Sequence, residues 1–480
     1  MRESLWKREF RLLLKRSVIT GIPELLATRN NLRRFLRFCV FLICICGFFY
    51  TTSIFLRVYW KYPTVMNVNV EYPETVEIPA FTFCSYNGIQ ASNFCARFPD
   101  LCSPQKNYTE FCKMYFYFCD RNYIYDNNMT LPAVSTYELP DLDRIEYKEL
   151  GNKVEDLLEL CEIRYTSGHA PCLNETRWIS AFDTMGLPNN CYAVNSLIGN
   201  VHESPKTMAS KSKVILKIKT ATRDAFYTST PGAIQISVHS PRVIVNPFKT
   251  GFAIKPCYNY FVYISKIRNL LLPFPYATNC TDYHRLWEER GGHGPLTKTQ
   301  CREECLYNAS VEDAHCVDPF FITYPNVAPI CKHPVGGRKY TEKCESFCSR
   351  ACEREDIYTD VEEHASLSVR NSRYELEECT STITFAFNRM ELKTYIYSPK
   401  YQAIELFGYI GGYLGVFLGI SLLAITDVLE SFYVIFKICK RALQGNKRKI
   451  RKYKNANESI KKYERCYHDN YKKNAILKLY

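Results

Sequence analysis

LFGYIGGYLGVFLGISLLAITDVLESFYVIF, from Leu406 to Phe436, is the stretch on which the fold turns. It is about thirty residues of mostly apolar sequence, and a bilayer core needs roughly 20. Five glycines crowd its first half: Gly408, Gly411, Gly412, Gly415 and Gly419. Two carboxylates, Asp427 and Glu430, sit in its second half, and Ser421 lies between. On a helical wheel, Gly408, Gly412, Thr426 and Glu430 fall within about 20° of Gly419, and Gly415 within about 40°. One narrow face therefore carries glycines, then a hydroxyl, then a carboxylate, and the rest is mainly Leu, Ile, Val, Phe and Tyr. A small-residue stripe lets helices approach closely in lipid. A carboxylate inside a span costs at least ~2.5 kcal/mol unless it faces a bundle interior or water. Several copies around a water-filled path meet both demands. A glycine-lined dimerisation anchor, its acids reaching the cytoplasmic edge, meets them in a blander way.

The charge around this stretch is uneven. The chain has 480 residues and a formal net charge of +13. Residues 1–37 hold ten Lys/Arg against Glu3, Glu9 and Glu24, and residues 437–480 hold fifteen against Glu458, Glu464 and Asp469. Everything between the two ends is mildly acidic. This is the positive-inside pattern of two spans with both termini cytoplasmic. Basic tails also suit nucleic acid. Flanking a span, they suit anionic membrane lipids better, and no nucleic-acid partner is expected.

Cysteine usage agrees with that topology. Of 23 cysteines, Cys39, Cys44 and Cys46 fall in a first apolar run, Cys439 and Cys466 in the basic tail, and eighteen between Cys84 and Cys379. An even number there suits an oxidised extracellular domain. Asn107, Asn128, Asn174, Asn279 and Asn308 head glycosylation sequons in the same region.

Taken in order, 1–37 is a basic leader rather than a secretory signal, because the apolar run starts late and no small-residue cleavage site follows. Residues 38–56 form the first span, followed by Arg57, Tyr59, Trp60 and Tyr62 as an interfacial belt. Its cysteines read as apolar filler. Residues 57–405 form an extracellular cysteine-rich domain, 406–436 the second span and 437–480 the cytoplasmic tail. VEIPAFTFCSYNG, KVILKIK (Lys213–Lys219), AIQISVH (Ala233–His239) and STITFAFNRMELK (Ser381–Lys393) read as strands. Cys95 to Cys191 reads as loop-rich and peripheral. Cys301/Cys305 and Cys344/Cys348/Cys352 recur every four residues, which places them on helix faces. Clustered cysteines also bind zinc, but beside sequons in an oxidising compartment the expectation is disulfides, with no metal.

GYIGGYLGVFLGIS, with Asp427 and Glu430 after it, resembles the second membrane segment of the epithelial sodium channel/degenerin superfamily. That superfamily includes acid-sensing channels and arthropod pickpocket-type channels. The resemblance implies a Gly-x-Ser selectivity filter at Gly419, Ile420 and Ser421. It also implies a pore face and gate at Gly408, Gly411, Gly412, Gly415, Asp427 and Glu430. On an unbroken helix Ser421 points about 200° from Gly419; the family breaks the helix at the tripeptide, and glycine suits the break. The resemblance also implies that Gly415 sits at the level of the amiloride-binding site. Thr20-Gly21 stands where the family has a His-Gly gating pair, keeping only the glycine; a juxtamembrane turn at Gly21-Ile22-Pro23 explains that glycine equally well.

In the outer domain, Pro79, Ala80, Thr82, Cys84 and Asn87 match the family's Phe-Pro-Ala-x-Thr-x-Cys region, with Ile78 in place of Phe. Val238-His239-Ser240-Pro241 and Pro275-Tyr276…Cys280 resemble palm strands, and Cys301-Arg-x-x-Cys305 resembles the disulfide-laddered thumb. Cys95–Cys191 takes the finger. His239 is assigned no proton-sensing role. The expected fold class is an α+β membrane protein with two transmembrane helices and a large disulfide-rich domain: a β-sheet palm with helical finger and thumb, trimeric. Disulfide candidates are Cys84, Cys191, Cys280, Cys301, Cys305, Cys316, Cys331, Cys344, Cys348, Cys352 and Cys379.

No P-loop, HExxH, GxSxG or dinucleotide fingerprint is present, and the glycine cluster lies in a span rather than between strand and helix. Neither enzyme activity nor a cofactor is expected. The expected function is a subunit of a sodium-selective, amiloride-sensitive cation channel of the plasma membrane, with Na⁺, amiloride-type blockers, lipids and like or related subunits as partners. The alternatives are a two-span ATP-gated-type channel and a non-conducting receptor or regulatory subunit.

Overall fold

Asn30 starts the first helix. Its side chain accepts the N–H of Leu32 at 3.1 Å, the usual way to satisfy an orphan donor at a helix N-terminus. Helix α1 then runs Asn31–Tyr59. It begins well before the apolar run at residue 38, so Arg33, Arg34 and Arg37 lie within its first two turns. Among the described residues it is the one helix long and apolar enough to cross a membrane. Cys39, Cys44 and Cys46 on it are free thiols.

The structure is a computed structural model. It describes residues 27–28, 30–104, 108–115, 130–135, 138–139, 142, 144–172, 176–184, 186–220, 224–228, 232–316, 329, 331, 338–365 and 380–420, with isolated positions 433, 436, 455, 458 and 459. The chain divides into two units, Thr64–Lys400 and the two flanks Met1–Pro63 with Tyr401–Tyr480.

In the larger unit a core lies between two sheets. The five-stranded sheet has the order β13-β12-β3-β9-β8. Its strands are β3 (Ala80–Ser85), β8 (Arg177–Phe182), β9 (Pro188–Val194), β12 (Ile234–His239) and β13 (Phe252–Ile254). The seven-stranded sheet has the order β15-β14-β16-β11-β6-β7, with β1 also paired to β16. It contains β1 (Thr64–Glu71), β6 (Leu158–Tyr165), β7 (Gly168–Pro171), β11 (Lys213–Lys219), β14 (Tyr258–Leu270), β15 (Glu353–Ala365) and β16 (Thr380–Pro399). Two short pairs, β2 (Thr75–Glu77) with β10 (Thr207–Ala209) and β4 (Cys102–Pro104) with β5 (Thr130–Pro132), complete the strands.

The period of two decides which side chains go inward. Phe81 and Phe83 of β3 and Ile234 and Ile236 of β12 meet Leu216 of β11, Val262 and Ile264 of β14, and Ile383 and Phe385 of β16. Phe81 and Phe385 stack with centroids 4.3 Å apart. The second face of the five-stranded sheet, formed by Cys84, Ile179, Ala181, Cys191 and Ala193, is covered too, by Ile198, Ile244 and Phe248. That explains why β3, β9 and β12 are buried along their whole length. Continuing the inward row of β14, Lys266 is buried and held between Glu355 at 2.9 Å and Glu77 at 3.4 Å, which compensates a charge that could not stay unpaired there.

β16 is the spine of the large sheet. Its first half pairs with β11, Val214 opposite Phe385, and its second half with β1, Thr64 opposite Pro399. Parallel β14 lies along its other side, with a register shift between Ile264 and Lys266. It extends beyond the expected Lys393 because β1 supplies a partner there. The region from Cys95 to Cys191 also departs from the loop-rich reading. Helices α2 (Ala91–Arg97), α3 (Tyr108–Met114), α4 (Arg144–Leu150) and α5 (Val154–Leu157) precede four strands, β6 to β9, that belong to the two main sheets. The alternation of LELCEIRY changes phase at Cys161-Glu162, and its pairing with β11 shifts register between Lys217 and Ile218, so the strand does not announce itself.

After α6 (Pro247–Thr250) come α7 (Tyr283–Glu289), α8 (Lys298–Ala314) and α9 (Arg338–Phe347). Thr297 caps α8 by accepting the N–H of Gln300 at 3.2 Å. Cys301–Cys348 and Cys305–Cys344 join α8 to α9 and the residue just after it. Lys298 and Arg302 both pair with Glu345, and the Lys298 hydrogen bond holds its carboxyl below the usual range. Cys352 corrects the four-residue pattern: α9 ends at Phe347, and Cys352 lies beyond it, bonded to Cys280. Spacing alone could not register that the helix had stopped.

Cys84–Cys191, directly opposite on β3 and β9, Cys95–Cys102, Cys161–Cys172 and Cys316–Cys331 are further bridges. Cys112 and Cys257 are disulfide-bonded as well, and Cys379 lies outside the described residues. Peptide mass mapping without reduction should recover these seven bridges and find no free thiol among Cys84–Cys352. Bound zinc with intact thiols would overturn the assignment. Losing one bridge of this kind costs a small domain about 2–5 kcal/mol.

Candidate functional site

The glycine-rich segment begins as helix α10, Ala403–Leu418. Its first turn is closed by Glu405, whose Oε2 accepts the Gln402 N–H at 3.1 Å. The helix has two unlike faces. Tyr409 packs on Phe55 of α1 with centroids 4.7 Å apart, and Tyr401 meets the same ring at 5.4 Å. Phe55 is the buried residue of α1. Lower down, Phe417 lies against Gly47: a Cβ added there would sit 2.7 Å from the Phe417 ring.

The glycines form the other face. All five are exposed. A Cβ added at Gly408, Gly411 or Gly412 would meet nothing within 4 Å, and one at Gly415 would meet only the Ile420 carbonyl at 4.0 Å. The face that sequence periodicity isolates is therefore the one that α1 leaves uncovered. An open small-residue face on an apolar helix suits close approach by another helix.

The helix ends at Leu418 and Gly419 is left-handed, φ 63° and ψ 22°. Its N–H donates to the Gly415 carbonyl at 3.0 Å, and the Ile420 N–H to the Leu414 carbonyl at 3.3 Å. A side chain in this conformation is strained by about 1–2 kcal/mol, so glycine permits the stop. The wheel extended through Ser421 to Glu430 thus does not apply as one unbroken helix. Ser421, Asp427 and Glu430 lie outside the described residues, as do Thr20 and Gly21 and the sequons at Asn107, Asn128 and Asn174. Asn279 and Asn308 are both exposed.

Gly47 and the Phe55–Tyr401–Tyr409 cluster were not singled out by the sequence. The one available signal was that Gly47 is the sole glycine of a 29-residue helix, a position where glycine costs about 1 kcal/mol unless packing requires it.

His239 is buried on β12. Its Nε2 is 2.7 Å from the Thr82 hydroxyl and its Nδ1 2.9 Å from the Ser240 carbonyl. The carbonyl can only accept, so Nδ1 carries the proton and Nε2 accepts from Thr82. Burial pushes its pKa down to about 4, against backbone hydrogen bonds that raise it. The ring is neutral at ordinary pH and ties β12 to β3. Among the described residues no group of His, Cys, Asp and Glu could hold a metal.

Residues 13–431 match the family described as amiloride-sensitive sodium channel. Acid-sensing ion channel 4 of Rattus norvegicus is 22% identical over 440 residues, covering 85% of this chain and 75% of that one. Acid-sensing ion channel 1A of Danio rerio is 22% identical over 326 residues, covering 61% of this chain and 60% of its own length. A proton-activated chloride channel structure overlaps at a TM-score of 0.32 with 8% identity, over 84% of this chain and 100% of that one, too distant to carry an argument. With the family match spanning nearly the whole sequence, including α1, both sheets and α10, the chain belongs to the amiloride-sensitive sodium channel family, a group of ion channels and not of enzymes.

Proposed function

We propose that this chain is a subunit of a trimeric, sodium-selective, amiloride-sensitive channel of the plasma membrane. In this reading it spans the bilayer twice, with α1 and with the segment begun by α10, and both termini are cytoplasmic. The observation that carries the reading is the uncovered glycine face of α10, ending in the left-handed Gly419. Three such faces around an axis would line a narrow path. Gly419, Ile420 and Ser421 would form its constriction and Gly415 the blocker level, with Asp427 and Glu430 drawing cations toward the inner end. Family membership removes the need for an ATP-gated alternative. Asn279 and Asn308 are available for glycosylation in the same reading.

Voltage-clamp recording of the chain expressed alone, with sodium exchanged for an impermeant cation and amiloride applied, tests the proposal. An inward current that needs sodium and is blocked by amiloride is expected. Surface-labelled protein that passes no current under any pH step would favour a non-conducting subunit.

The filter assignment has its own test. A constriction selects by size and by the dipoles lining it. Gly419→Ala, or a bulky residue at Ser421, should change the permeability ratio of Na⁺ to K⁺. Unmoved reversal potentials in conducting variants would remove the tripeptide from the filter.

A further inference from the structure

We propose that Gly47 of α1 is a positioning residue for ion selectivity, acting through Phe417. The inference rests on the reading of Gly419-Ile420-Ser421 as the filter.

A Cβ at Gly47 would lie 2.7 Å from Phe417 Cε1, 3.1 Å from Cδ1 and 3.4 Å from Cζ. One edge of the ring therefore rests on the glycine; turning the ring about its own axis makes room for a single Cβ, since Cζ lies on that axis at 3.4 Å. The further methyls of valine require more: a different χ1 at Phe417 or a shift of the last turn of α10, so Gly47→Val is expected to act more strongly than Gly47→Ala. That turn matters beyond packing. Phe417 shares it with Leu414 and Gly415, whose carbonyls hold the N–H groups of Ile420 and Gly419. Moving the turn moves the anchors of the left-handed break. Phe417 lies about 160° from Gly415 on the helix wheel, so Gly47 presses from behind the glycine face, away from the proposed path. At the same place the Thr51 hydroxyl donates to the Gly47 carbonyl at 2.9 Å, within reach of the Phe48 carbonyl at 3.2 Å. Glycine here is thus read as a seat that fixes the depth of Phe417, rather than as a flexible point.

The test uses Gly47→Ala and Gly47→Val in the full chain, with reversal potentials measured alongside surface-labelled protein. The Na⁺ to K⁺ permeability ratio should change by about 2- to 30-fold, the range of mutations that act without touching the ligand. Gly47→Val combined with Phe417→Ala should return the ratio toward wild type, since the shortened side chain makes room. Mere destabilisation would lower surface protein and leave the ratio of the surviving channels alone. If Gly47→Val passes no current, Gly47→Ala and the double variant decide. Wild-type ratios in conducting Gly47 variants, while Gly419→Ala shifts the ratio, would overturn the proposal and leave the filter standing. Ratios unmoved in the Gly47 and Gly419 variants alike would sink both.

Discussion

Replacing Gly408 with valine or phenylalanine should raise the resting current by roughly 5- to 150-fold, with alanine giving a smaller rise. The argument is steric. In the proposed trimer Gly408 begins the glycine stripe at the outer mouth, where the closed gate needs helices packed through small residues. A side chain at such a contact costs about 1–3 kcal/mol of overpacking. That cost falls on the closed state alone, so it moves the closed–open equilibrium by the factor above. Among the described residues of a single chain an added Cβ at Gly408 meets nothing within 4 Å, and Gly→Ala favours the helix by about 1 kcal/mol. In the proposed trimer the clash is therefore assigned to a neighbouring subunit. Whole-cell current divided by surface-labelled protein is the measurement. A fall in current per surface channel would remove Gly408 from the gate and leave it as a bend at the membrane surface.

The second large effect is on stability in acid. His239 has a folded pKa of about 4, against an ordinary value of 6.5. Above pH 6.5 the ring is neutral in both the folded and the unfolded chain, and it contributes no pH dependence. Between 6.5 and 4 the unfolded chain takes up a proton that the buried ring refuses, so stability falls as pH falls. At about 1.36 kcal/mol per pKa unit, the loss approaches about 3 kcal/mol by pH 4. Thermal unfolding of the purified protein should show a midpoint that drops across this window. His239→Gln should flatten the drop, even if it lowers the midpoint at neutral pH by disturbing the Thr82 contact. An acid limb of the same steepness in the variant would show that other groups govern it.

What could be read in advance follows from how local each signal is. KVILKIK states its own alternation, and β11 occupies that heptapeptide from Lys213 to Lys219. The Cys301/Cys305 pair lies on one helix face because four residues make about one turn, and both are bridged. The glycine face of α10 was equally local, since it needs only the wheel. The rest depended on partners distant in sequence. β16 extends to Pro399 because Thr64–Glu71 lies beside it. Cys352 pairs with Cys280 rather than within the thumb helices. Gly47 gains its meaning from Phe417, and no periodicity in either helix points to the other. Of the candidate site, the structure locates the glycines and the break at Gly419, while the serine and the acids fall outside its described residues.

The placement of β16 also bears on how the chain is made. Among the described strands it is the last to be synthesised, yet it lies inside the large sheet, paired with β14, β11 and β1. Of its three partners, β1 has no other described strand to pair with, and β11 and β14 each keep one edge open until it arrives. Its pairing with β1 joins Thr64 to Pro399, a long-range closure of the kind that slows folding and prolongs exposure of apolar edges. A truncation before Thr380 should therefore produce not a smaller domain but an unclosed one, in which β1 has lost its partner and β11 and β14 each expose an edge.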